Sequence, residues 1–210
     1  MSSGNIRSII KAAYLLQLRH GPFTEVEFEA AGNASELQNV LKLQYLEEQQ
    51  VNQEKRYSLS EKGRAQIKVV LAGGVYDVLH LGHLAALTEA KTLGDVLVAV
   101  VATDITVEML KGRKPVFPQE DRRALVEGLK PVDKAILGYE DVGFGFEQVL
   151  VEVMPDIVAF GYDQENLERS VSEIINRRKL KIQTVKLTQY EHERYLSSTS
   201  VKQKLSEQLR

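Results

Sequence analysis

The chain has 210 residues, 43% hydrophobic and 27% charged, which suits one globular domain of about 100–150 residues with a smaller companion and excludes collagen-like, coiled-coil and wholly disordered chains. Its 27 Lys and Arg against 29 Asp and Glu leave a net charge of −2, so no global basic field draws it to nucleic acid or anionic lipid. Without cysteine, disulfides, thiolate metal sites and thiol catalysis drop out. Apolar runs such as Val96 to Ala102 fall far short of the roughly 20 residues of a membrane span, and the N-terminus lacks a basic region followed by an apolar core. The expectation is a soluble, cytoplasmic protein without membrane contact.

Residues 1–66 read as three helices and a ribbon. Ile6, Ile9, Ile10, Ala13 and Leu16 recur at helical spacing, and Gly21-Pro22 stops the pattern. Thr24 with Glu27 three residues on has capping-box spacing, and Gly32 ends that second, short helix. A third helix is predicted from about Ala34, with Leu37, Val40, Leu41, Leu43 and Leu46 on its apolar side. Two extended pieces around a polar turn follow within Gln50 to Ser60, and Ser60-Glu61-Lys62-Gly63-Arg64 opens another short helix. This order resembles a winged helix-turn-helix domain, which implies DNA binding by the third helix. The charges oppose that. Residues 1–66 hold eight Lys or Arg and eight Glu, and Lys42 stands against Glu36, Glu47 and Glu48. Non-specific DNA affinity comes from neutralising phosphates, so protein interaction or dimerisation is the favoured role.

From residue 68 to 210 the pattern changes. Apolar runs at Lys68 to Gly74, Val96 to Ala102, Ala135 to Leu137, Ile157 to Phe160 and Ile182 to Leu187 alternate with amphipathic stretches near 83–93, 119–129, 145–153 and 165–178. Such alternation predicts an α/β domain: a Rossmann-like parallel sheet with helices on both faces and ligands at the carboxyl ends of its strands.

Directly after the first of these strands stands Gly73-Gly74-Val75-Tyr76-Asp77-Val78-Leu79-His80-Leu81-Gly82-His83, leading into a helix. The glycines let the backbone turn, Gly82 permits close approach of a ligand, and the helix start offers free N–H groups. Two imidazoles three residues apart there face one space, for phosphate binding or, as the alternative, for a metal with further ligands. His-x-Gly-His in this setting is similar to the signature of the nucleotidylyltransferase superfamily, cytidylyltransferase-like. That resemblance implies a second motif near the C-terminus, and Leu196-Ser197-Ser198-Thr199-Ser200-Val201 occupies its place.

Between the two motifs lie the basic loop Lys111-Gly112-Arg113-Lys114-Pro115-Val116-Phe117-Pro118, the run Glu120 to Gly138 and Pro155 to Gln164. These resemble the archaeal FAD synthases (FMN adenylyltransferases) more than the glycerol-3-phosphate cytidylyltransferases. Val75-Tyr76 stands where Thr-Phe is usual. The resemblance implies AMP transfer from ATP to FMN, giving FAD and pyrophosphate, with Mg²⁺ or another divalent cation. His80, His83, Lys111 and Arg113 take the catalytic roles. Gly74, Val75, Tyr76, Gly82, Arg122, Gly161, Asp163, Arg194, Ser197, Ser198 and Thr199 bind nucleotide or phosphate. Asp77 is the candidate for Mg²⁺ through water, and Tyr139, Phe144 and Phe146 for the apolar slot of the acceptor. Arg122 with Arg123 reads equally as a solvated face. Two other readings stay open: CTP-dependent synthesis of a CDP-linked product from a phosphorylated alcohol such as glycerol 3-phosphate, and a nucleotide- or flavin-sensing DNA-binding regulator. A homo-oligomer, most simply a dimer, is expected.

Overall fold

The computed structural model describes residues 3–33, 35–140, 145–189, 204 and 206–208. The chain divides into two compact units, Met1–Lys68 and Val69–Arg210, two residues from the boundary expected at 66.

The first unit begins with α1 (Ser3–His20) and α2 (Glu25–Phe28). Between them Thr24 and Glu27 form the predicted capping box: Glu27 N donates to Thr24 Oγ1 at 3.2 Å, and Thr24 N donates to Glu27 Oε2 at 2.7 Å. A wider turn, Glu29–Asn33, leads to α3 (Leu37–Lys42). This third helix is shorter than its apolar spacing implies. Gln44 takes a positive φ of 58°, which ends the helix, and Leu46 already belongs to β1 (Leu46–Val51). Glu47 and Glu48 therefore lie on the ribbon rather than on the helix. β1 pairs antiparallel with β2 (Glu54–Leu59) through Asn52 and Gln53, both at positive φ, as a tight two-residue hairpin turn requires. Ser60 then caps α4 (Glu61–Arg64), accepting from Gly63 N at 2.9 Å. Ile9, Ala13, Phe23, Phe28, Leu37, Val40, Leu46 and Tyr57 form the core of this unit. Phe23 stacks on Phe28 at 5.5 Å and bridges to Tyr57 of β2 through two backbone hydrogen bonds.

The second unit holds β3 (Val69–Gly74), α5 (Leu81–Thr92), β4 (Val96–Val101), α6 (Asp104–Lys111), α7 (Gln119–Glu127), β5 (Lys134–Leu137), α8 (Gly145–Val153), β6 (Ile157–Phe160), α9 (Glu165–Arg178) and β7 (Gln183–Lys186). Its five strands are parallel in the order β5-β4-β3-β6-β7. All five strands coincide with the predicted apolar runs. Strand side chains alternate between two faces. Val70, Ala72, Leu97 and Ala99 pack with Leu87 and Ala90 of α5 and Val126 of α7. Val69, Leu71 and Val98 face the other way, and all are fully buried. Both faces are thus removed from water, which is why β4 reads Val-Leu-Val-Ala-Val-Val with no polar alternation. Helix α6 had no counterpart in the predicted elements. Its signals are local: Thr103 caps the first turn, Val107 is buried, and Gly112 ends it at φ 64°.

Candidate active site

The strand order reverses direction between β3 and β6, so the chain leaves their carboxyl ends toward opposite sides and a crevice opens there. The segments after these two strands are 75–83 and 161–164. Both carry residues expected from the sequence.

The first segment is shaped by glycine and by one unusual backbone. Tyr76 has a φ of 52°, and its buried ring lies over Gly74, where a Cβ would meet Tyr76 Cζ at 2.7 Å. Gly74 is required to make room for that ring, and burial pushes the Tyr76 phenol well above its ordinary pKa. Tyr76 in turn walls the site, its ring centroid 5.3 Å from that of His83. His80 is the N-cap of α5, its Nδ1 accepting from Gly82 N at 3.2 Å. That bond fixes the tautomer of the neutral ring, leaving the proton on Nε2 as a donor. A Cβ on Gly82 would press on His80 Cε1 at 2.9 Å, so glycine here serves the cap. The His80 and His83 centroids are 4.0 Å apart. Burial first, then the neighbouring His80 and the Lys111 charge, push the His83 pKa down to about 4, and burial also lowers that of His80. Both rings are therefore neutral near pH 7. His83 Nδ1 is buried with no hydrogen-bond partner among the described residues.

Asp77 is buried, and its Oδ1 accepts from Val116 N at 2.5 Å and from Phe117 N at 3.2 Å. Its Oδ2 lies 3.7 Å from Arg113 Nη1. The carboxylate thereby pins the 111–118 loop to the segment after β3 and holds Arg113 beside it. Lys111, the exposed last residue of α6, acts on His83 through its charge.

Arg122 corrects the sequence reading. It is not a solvated side chain but fully buried on α7. Nε donates to Phe117 O at 2.9 Å, Nη1 to Val75 O at 2.5 Å and Nη2 to Asp104 Oδ1 at 2.7 Å. The guanidinium ties the segment after β3, the basic loop and the start of α6 into one frame. Its neighbour Arg123 instead pairs with Glu120 and Glu127 on the surface side.

Beyond β6, Gly161 and Asp163 stand beside the crevice as expected. A Cβ on Gly161 would come within 3.3 Å of Asp163 Oδ1. Sequence reasoning missed Gln164, whose Oε1 accepts from Gly161 N at 2.8 Å while Nε2 donates to Gly73 O at 2.9 Å. Of the three aromatic acceptor candidates, Tyr139 and Phe146 lie among the described residues. Phe146 lies against the end of β3, its Cε2 3.5 Å from a Cβ built on Gly73. Tyr139 donates to Glu152 Oε2 at 3.0 Å and lines a shallow groove of about 530 Å³ with Val151 and Arg178. Phe144, Arg194, Ser197, Ser198 and Thr199 lie outside the described residues.

Comparison with known proteins places this geometry. The model of the family described as cytidylyltransferase-like matches residues 71–204, a span that takes in the paired histidines and the serine-rich motif. The chain belongs to the cytidylyltransferase-like family. Among its relatives, the FAD synthase of Aciduliprofundum boonei is 46% identical over 121 residues, 58% of this chain and 78% of that protein. The FAD synthase of Thermoplasma volcanium is 42% identical over 138 residues, 66% of this chain and 94% of that protein. A solved structure described as a lipopolysaccharide core biosynthesis protein, also from T. volcanium, superposes with a TM-score of 0.55 at 42% identity, covering 60% of this chain and 99% of that one. The cytidylyltransferase-like match begins within β3 and leaves the first unit outside it.

Proposed function

We propose that the protein is an FMN adenylyltransferase, transferring AMP from ATP to FMN to give FAD and pyrophosphate. The observation that carries this reading is the pairing of His80 and His83 at the start of α5, beside the β3/β6 opening, in a chain 42–46% identical to archaeal FAD synthases. The second pKa of a phosphate monoester is about 6, so FMN brings its own anionic nucleophile and no enzymic base is needed. A phosphate oxygen attacks the α-phosphorus in line, a new P–O bond forms, and the bond to the pyrophosphate oxygen breaks. What the chain contributes is alignment and charge stabilisation.

His80 Nε2–H donates to a phosphate oxygen. His83, with Nδ1 buried, meets the ligand through Nε2, and a neutral imidazole donor costs no charge burial before ATP arrives. Lys111 and Arg113 neutralise the triphosphate, Gly74, Val75, Tyr76 and Gly82 shape its path, and Gly161 and Asp163 contact the nucleoside. Arg194, Ser197, Ser198 and Thr199 complete the phosphate site as the motif implies. Asp77 does not fit the role of metal ligand, because its oxygens are engaged by Val116, Phe117 and Arg113. Mg²⁺ enters carried on the ATP phosphates as part of the substrate. Phe146 is the strongest of the acceptor candidates, standing at the end of β3. For the first unit we propose a winged-helix module of protein association, homodimerisation included. Its equal charges and the Lys55–Glu48 ion pair on its ribbon do not suit a phosphate backbone.

The test incubates the protein with Mg²⁺, ATP or CTP, and FMN or glycerol 3-phosphate, following pyrophosphate and identifying products by mass. FAD from ATP and FMN is expected. A CDP-linked product would move the reading to cytidylyl transfer, and nucleotide binding without pyrophosphate under any pairing would overturn an enzymic role.

A further inference from the structure

The hydrogen-bond ladders at the carboxyl end of the sheet stop at different heights. Toward β4, pairing of β3 runs to Gly74↔Val101, and Ala102 N still donates to Gly74 O at 2.9 Å. Toward β7, pairing of β6 runs to Phe160↔Lys186, and Leu187 N donates to Phe160 O at 2.8 Å. Between β3 and β6 the pairing ends earlier, at Ala72↔Ala159. Immediately past that point the strands need a donor for Gly73 O and an acceptor for Gly161 N–H.

The Gln164 side chain supplies both, at 2.9 Å and 2.8 Å. A primary amide has the donor and acceptor of a peptide unit, and only one orientation of this one satisfies both strands. The backbone turn Gln164 N to Gly161 O, 3.1 Å, brings the side chain back over its own loop, and the amide carbon lies 3.5 Å from a Cβ built on Gly161. Gln164 thus continues the sheet by one rung where the main chain has parted.

We infer that Gln164 is a positioning residue: its amide floors the nucleotide crevice and sets the separation between the segment carrying His80 and His83 and the segment carrying Gly161 and Asp163. This rests on the proposed function, in which one segment holds phosphates and the other the nucleoside of the same ATP. Loosening the rung misaligns the two halves, and a misplacement of about 1 Å in a positioned substrate costs up to about 100-fold in rate.

The test uses the full chain with Q164L and Q164E. Q164L loses both bonds at similar volume, and kcat/KM for ATP is expected to fall about 10–100-fold, with KM for FMN close to that of the wild type. Q164E keeps the acceptor for Gly161 N–H but sets a carboxylate oxygen against the Gly73 carbonyl. Protonation turns that oxygen into a donor and restores the rung. The ratio of Q164E to wild-type activity should therefore rise as pH falls from about 8 to about 5.5, a rescue that Q164L lacks. Titration of ATP, FMN and the histidines is common to both proteins and cancels in the ratio. Q164L within twofold of wild type, or a Q164E ratio flat with pH, would overturn the inference. Should Q164L fail to fold, the Q164E ratio still decides. Should the wild type make no FAD, the proposed function fails, while ATP dissociation constants of the variants measured by calorimetry across the same pH range still test the rung.

Discussion

Replacing Arg122 with alanine separates a structural clasp from a phosphate ligand. The guanidinium is fully buried and holds Val75 O, Phe117 O and Asp104 Oδ1. Removing it strands two carbonyls, each at about 1–3 kcal/mol when left unpaired. Asp104 is 42% exposed on its side chain, so water rescues most of its loss, and that ion pair adds little. A void the length of the Arg side chain adds to the cost unless the loop collapses into it. The sum is about 3–5 kcal/mol, or roughly 6–20 °C in melting temperature for a unit of this size. Thermal and urea unfolding of the Arg122→Ala variant, followed by circular dichroism beside ATP titration by calorimetry, measure the two effects separately. A variant that melts within about 1 °C of wild type but has lost ATP binding would refute the clasp and return Arg122 to the phosphates.

Other outcomes follow from the same geometry. His83→Ala should lower kcat by two to three orders of magnitude, about 2.7–4 kcal/mol by analogy with loss of an oxyanion donor, while circular dichroism stays native; turnover near the wild-type rate would remove His83 from the reaction. Because the folded-state pKa of His83 is about 4 against 6.5 unperturbed, the unfolded chain binds that proton first. The stability it contributes is whole above about pH 6.5 and declines as pH falls toward about 4, so urea midpoints should drop through that window less steeply in His83→Gln. Anionic ATP should raise the same pKa, so calorimetry near pH 6 in buffers of different ionisation enthalpy should show greater proton uptake for the wild type than for His83→Gln. Gly74→Ala places a methyl 2.7 Å from Tyr76 Cζ, and loss of FAD formation with a lowered melting temperature is expected. Gly63→Ala would set its methyl 2.0 Å from Tyr45 O, and hydrogen exchange should show the first unit opening.

The sheet was readable because each strand is a short apolar run bounded by turns, and the His80/His83 pair because it sits between a glycine-ended strand and a helix. The third helix was overextended because Leu43 and Leu46 continue its spacing. Local backbone overrode that spacing: Gln44 at φ 58° turns the chain, and Leu46 buries itself from a strand instead. Helix α6 escaped because Ile105, Met109 and Leu110 are exposed, so only Val107 is left to mark an inward face. Gln164 escaped for another reason. Its side-chain contact depends on Gly73, which is close only after the strand order has been set.

Arg122 and Arg123 make the same point within one dipeptide. A helix advances about 100° per residue, so adjacent arginines cannot share an environment. One enters the frame made by Val75, Phe117 and Asp104, and the other pairs along the surface with Glu120 and Glu127. The phase of α7 decides which is which, and Val126, four residues after Arg122, points into the core with it. With Asp77 and Arg122 both holding Phe117, Arg113 and Lys111 flank a segment anchored from two sides. The exposed cations stand on a fixed base, and the cation that fixes the base is withdrawn from solvent.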